Sequence, residues 1–96
     1  MNGPYNTEAD TRMEALPRLI CGFHDANRVR SGDPDGLVRG AQRDALLRAC
    51  ADAGVELGDF DQLILGWLGR YEPSTVQVVL GLVVRAYESG RRGGAL

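Results

Sequence analysis

The sequence predicts an all-α protein, and three observations carry that expectation. Apolar residues recur at spacings of three and four along separate stretches, and helix-starting and helix-ending residues bracket those stretches. The one valine-rich run that suits a strand, Val76 to Val84, is long and has no partner strand elsewhere. With 96 residues the chain fits a single helical domain, 1–96, around one core. The expected architecture is a compact bundle of four to five helices, with the C-terminal helix central or at a dimer interface.

Residues 1–7 are expected to fray. Thr7 is then a candidate N-cap, followed by Glu8 and Asp10, where acidic groups favour a helix N-terminus. Met13, Leu16, Ile20 and Phe23 follow at helical spacing, with Leu19 alongside. Pro17 removes a donor and clashes with the preceding turn, so the segment is expected to split, with Pro17 in the first turn of the second piece. Residues 27–36 form an exposed loop, because Ser31-Gly-Asp-Pro-Asp-Gly36 is a dense cluster of turn formers. From Leu37 to Ala53 a helix is supported by Val38, Ala41, Ala45, Leu46, Ala49, Cys50 and Ala53 on one side and by Asp44, Arg48 and Asp52 at i,i+4 spacing on the other. Gly54 ends it.

Asp59, with Gln62 three residues later, resembles a capping box and opens the next helix. Phe60, Leu63, Ile64, Trp67, Leu68 and Tyr71 fall on one face, the clearest amphipathic pattern in the chain, and read as core. Leu65, Gly66 and Gly69 lie on the other side. Glu72 before Pro73 favours a turn, and a last helix starts near Pro73 or Ser74, the latter paired with Gln77. Its main face is Val76, Val79, Leu80, Val83 and Tyr87. Val78, Leu82, Val84 and Ala86 widen the apolar arc to about 240°, far beyond an ordinary surface helix. Only Gln77, Gly81, Arg85 and Glu88 remain as a polar strip, so this helix is either central or covered a second time by another chain. Residues 90–96 are expected to fray.

Composition narrows function by exclusion. A net charge of -2 argues against a surface that is a nucleic-acid footprint throughout, although seven arginines lie before residue 50. No apolar run approaches the roughly 18 residues of a membrane span, and the N-terminus lacks the basic start and apolar stretch of a secretory signal, so the cytoplasm is the expected location. Cys21 and Cys50 are far apart in sequence and read as two buried thiols. The 31–42 segment matches a calcium loop at Asp33, Asp35, Gly36 and Val38. It places Ser31 and Gln42 where the charged ligands belong, and so reads as a plain loop entering a helix. His24 is the only histidine and reads as a surface residue; Ser31, Ser74 and Ser89 lack a nucleophile context. No catalytic residue, metal site or cofactor is expected.

Cys50, Gly54, Val55, Phe60 and Leu63 reproduce the spacing of a helix-turn-helix. The second helix of that motif, however, offers Asp59, Asp61, Ile64, Leu65 and Trp67, with almost nothing to contact phosphates or bases. A DNA-binding regulator, the alternative reading, relies on Arg39, Arg43 and Arg48 of the preceding helix.

The run from Leu57-Gly-Asp-Phe-Asp61 through Ile64-Leu-Gly-Trp-Leu68 to Glu72-Pro-Ser-Thr-Val-Gln-Val-Val79 and Arg85-Ala-Tyr87 resembles segments of small actinobacterial (Streptomyces-like) and actinophage proteins, over about the last 40 residues. That resemblance implies a bacterial cytoplasmic setting and no particular activity; the absence of lysine agrees with such a GC-rich source. The leading expectation is a non-enzymatic protein-binding or regulatory protein, a homodimer or the binder of another protein. Its contact is expected to use Leu65, Gly66 and Gly69 of one helix and Val78 and Leu82 of the next.

Overall fold

A computed structural model describes residues 2–93, which form, within that range, five helices and no strand. They are α1 Glu8–Thr11, α2 Ala15–Asp25, α3 Leu37–Asp52, α4 Asp59–Leu68 and α5 Pro73–Gly93. The all-α expectation holds. Residues 90–93, expected to fray, continue α5; positions 94–96 of that expected tail lie outside the described residues.

The helix ends follow from local chemistry. Thr7 caps α1 in a reciprocal box with Asp10, whose carboxylate accepts from the Thr7 N–H at 3.0 Å. Pro17 sits in the first turn of α2, as its missing donor requires. Asn27 (φ 56°) closes α2 and Gly54 (φ 74°) closes α3 in the left-handed region. In each case the next residue's N–H returns to the helix, Arg28 to Phe23 and Val55 to Cys50. Asp33 accepts from the N–H groups of Val38 and Arg39, so this acidic residue caps α3 from the preceding loop. Against the cost of its partial burial, those bonds hold its carboxyl below the usual value.

Two cap assignments differ from expectation. At α4 the N-cap is Gly58, and Asp61 reaches back to its N–H at 3.0 Å, so Asp59 is the first helical residue and Gln62 takes no part. At α5 the first helical bond runs from Val76 N–H to Glu72, which puts Pro73 in the first helical position, while Ser74 Oγ lies 3.1 Å from Thr11 Oγ1 and ties α5 to α1. Gln77 is not a capping residue: it is buried and donates to Tyr5 Oη at 2.8 Å.

The core is a cluster of Leu16 and Ile20 from α2, Leu46 from α3 and Val76 from α5, with Phe23, Val38, Ala41, Leu65, Leu68 and Leu80 among the residues packed around it. α5 is central, in contact with α1, α2 and α3, whereas α4 packs chiefly on α3. Residues 2–7, expected to fray, instead lie along α5. The Asn2 N–H and the Tyr5 hydroxyl both donate to Glu14, the latter at 2.5 Å, and a Cβ at Gly81 would sit 2.7 Å from the Asn2 carbonyl oxygen. The expected polar strip of α5 is therefore buried under this segment at Gln77 and Gly81. Of the two thiols expected to be buried, Cys50 is, whereas Cys21 is exposed; both are free. Asp44 pairs with Arg43 at 3.1 Å rather than with Arg48. Among the described residues no helix is long and apolar enough to cross a membrane.

Candidate protein-docking surface

α4 is seated on α3 through glycine. A Cβ at Gly69 would stand 3.0 Å from the Arg39 carbonyl oxygen and 3.0 Å from the Arg43 nitrogen. Backbone atoms cannot swing aside as the end of a side chain can, so a larger residue here requires the two helices to move apart by a few tenths of an ångström. The fully buried Gln42 then clamps the end of the helix, its Nε2 donating to the carbonyls of Gly69 and Tyr71, each at 2.8 Å. A buried amide that bridges two otherwise unpaired carbonyls at a helix C-terminus answers the need for partners there.

Held this way, α4 turns Leu65 and Leu68 toward the core and its strongest apolar stripe outward. Phe60 is 72% exposed, Leu63 65% and Trp67 50%, with Ile64 and Tyr71 also exposed. For every member but Leu68, this reverses the expectation that the stripe is core. Gly69 lies against the α3 backbone, and with that side seated the large side chains face away. Trp67 and Tyr71 meet edge to face at 5.0 Å, which holds two of the rings in fixed relation. Taking about 150–250 Å² for a whole aromatic side chain, Phe60, Trp67 and Tyr71 alone leave on the order of 300 Å² uncovered.

One edge of the stripe is basic. Arg39, Arg43 and Arg70 line an open groove of about 650 Å³ together with Leu63, Ile64 and Trp67. Arg43 also pairs with Asp44. Arg48 does not join this edge, since it is about two and a half turns beyond Arg39 and so on the opposite side of α3. Of the arginines singled out from sequence, the fold brings Arg39 and Arg43 together and adds Arg70, which sequence reasoning did not select.

The expected contact residues divide in the same way. Gly69 is buried and Leu65 and Gly66 are half-buried, all three used inside the chain. Val78 and Leu82 are exposed on α5, Leu82 at 55%. Gly69 and Gly81 mark close approaches, to α3 and to the N-terminal segment of the same chain, whereas a Cβ at Gly66 would meet only Arg43 Cδ at 3.8 Å, an ordinary contact. The signal that finds the exposed face is the Gly66 and Gly69 pair itself: a helix with small residues on one side is seated on that side.

Elsewhere, His24, Cys21 and Asp25 border an open groove between α2 and the start of α5, with Cys21 Sγ 3.8 Å from Asp25 Oδ2. Among the described residues no group of three or more His, Cys, Asp or Glu side chains is placed to hold a metal ion. Comparison with known proteins yields no match to this chain, whether by family model, by sequence against curated proteins or by fold against solved structures.

Proposed function

We propose that this chain is a non-enzymatic, cytoplasmic protein-binding or regulatory protein whose partner docks on the outer face of α4. One observation supports this most: Phe60, Leu63, Ile64, Trp67 and Tyr71 form an exposed apolar stripe along one helix, rimmed by arginine. Contiguous apolar surface beyond a few hundred Å² is rare on soluble monomers except where something binds, and exposed Trp, Tyr and Arg are the residues that dominate protein contacts. The lysine-free composition supports an actinobacterial or actinophage source.

A DNA-binding regulator draws less support. The helix it would insert into a groove presents aromatic and aliphatic side chains rather than amides or guanidinium groups, and Arg39 and Arg43 act from its edge without Arg48. Binding to duplex DNA that weakens steeply with salt would favour that reading instead.

The test is photo-crosslinking in cells from a benzophenone amino acid placed at Leu63 or Trp67, and in parallel at Val78 or Leu82. Protein adducts from the α4 positions are expected. Adducts from the α5 positions alone, or from none of the four, would overturn the α4 reading.

A further inference from the structure

We propose that the occupant of this face is a second copy of the chain, bound antiparallel across α4 with Asp59 of each copy set against Arg70 of the other. This rests on the docking reading above and names its partner.

Area supplies the first argument. The chain exposes 6686 Å², whereas a monomer of its mass is expected to expose about 5,400 Å². The excess, about 1,300 Å², is spread over the whole chain, and the exposed stripe of α4, with Phe60 at 72% and Leu63 at 65%, is one part of it. The shortest dimension of the molecule is 17 Å, room for two layers of helices packed about 8–10 Å apart. α4 packs on α3 on one side and exposes its apolar stripe on the other.

Symmetry supplies the second. A twofold contact requires a surface that matches itself when reversed. The stripe runs from Phe60 through Leu63, Ile64 and Trp67 to Tyr71, with an aromatic ring at each end. A twofold axis midway between Ile64 and Trp67 sets Phe60 against the Tyr71 of the other copy and Ile64 against its Trp67. Both pairings occur twice.

Charge selects the antiparallel direction. Asp59 opens α4 and Arg70 follows its end, about three turns later, so both lie on the same edge of the stripe. Arg39 and Arg43 reinforce the Arg70 end. Among the described residues neither Asp59 nor Arg70 is in an ion pair. Parallel pairing brings arginine end to arginine end; antiparallel pairing brings each acidic end to an arginine end, and like charges across a contact are costly.

The experiment is solution mass by light scattering over a concentration series, on the wild-type chain and on Leu63→Glu, Asp59→Arg, Arg70→Asp and the Asp59→Arg/Arg70→Asp double variant. Circular dichroism confirms that each remains helical. The wild type is expected at twice 10.4 kDa, Leu63→Glu at the monomer mass, and each single charge reversal with its dimer weakened at least about tenfold. The double variant restores the pairing in antiparallel register and returns to within about threefold of wild type. A wild-type monomer at every concentration, a dimer indifferent to Leu63→Glu, or a double variant no better than the singles would overturn the proposal. A monomer whose Leu63 crosslinks to a different polypeptide removes the second copy while leaving the docking reading in place; a monomer without crosslinks removes both.

Discussion

The outer face of α4 and the polar strip of α5 are opposites in composition, and each is found where the other would be expected. Phe60, Leu63 and Trp67 face solvent, whereas Gln77 and Gly81 are buried. The two cases share one cause. Close backbone approach at a glycine decides which side of a helix is covered: Gly69 draws α4 onto α3, and Gly81 admits the Asn2 carbonyl and the Tyr5 ring onto α5. Hydrophobicity then determines what the remaining surface needs. On α5 the covered Gln77 donates through Nε2 to the Tyr5 hydroxyl, while its Oε1 is buried without a partner among the described residues. On α4, Trp67 and Tyr71 meet each other, and the stripe otherwise faces solvent.

If glycine seating governs both helices, the largest effect belongs to Gly69. Replacement by valine drives a branched side chain into the Arg39 and Arg43 backbone, and a loss of about 2–3 kcal/mol in denaturant unfolding is expected. Equal tolerance of Gly69→Val and of a polar substitution at Leu63 would break the comparison.

On α5 the expected effect is smaller and local. Gly81→Ala places a Cβ 2.7 Å from the Asn2 carbonyl oxygen and 3.0 Å from the Tyr5 ring, so residues 2–7 leave the helix. The helix itself gains about 1 kcal/mol of propensity, which offsets the lost contacts. Global stability then changes little, while hydrogen exchange and protease cleavage in residues 2–7 accelerate. Unchanged protection there would show that the segment is held by something other than this approach.

The smallest effect is one of pH. Burial pushes the Glu14 carboxyl up, but hydrogen bonds from the Tyr5 hydroxyl and the Asn2 N–H outweigh it and hold the group below its ordinary value near 4.5. A lowered folded-state pKa means that the unfolded chain takes up the proton first, so this contribution is full above about 4.5 and is lost as pH falls through the folded value. Burial and the Glu14 hydrogen bond raise the Tyr5 hydroxyl above 10.0, so its contribution is full below that value and is lost as pH rises through the raised one. Protection of the Asn2 amide is therefore expected to stay flat across the neutral range and to fall at both extremes. Glu14→Gln flattens the acid limb.

The helices and most of their ends are legible in local sequence. Thr7 and Gly54 act through bonds to residues within a turn or two, and Pro17 and Pro73 act through a fixed φ and a missing donor in a first turn that needs none. The wide apolar arc of the last helix left two places open, the centre of the bundle or an interface; α5 contacts α1, α2 and α3, while Val78 and Leu82 of that arc stay exposed. Only the tertiary structure decided which faces of α4 and α5 are covered. Periodicity reports that one side of a helix avoids water, but not what lies against it. That choice depends on contacts between residues far apart in sequence, such as Gln42 with Gly69 and Tyr5 with Gln77, which a local pattern does not encode. Leu65, Gly66 and Gly69 thus turn from an expected docking surface into residues used inside the chain, and most of the stripe that reads as core is exposed instead.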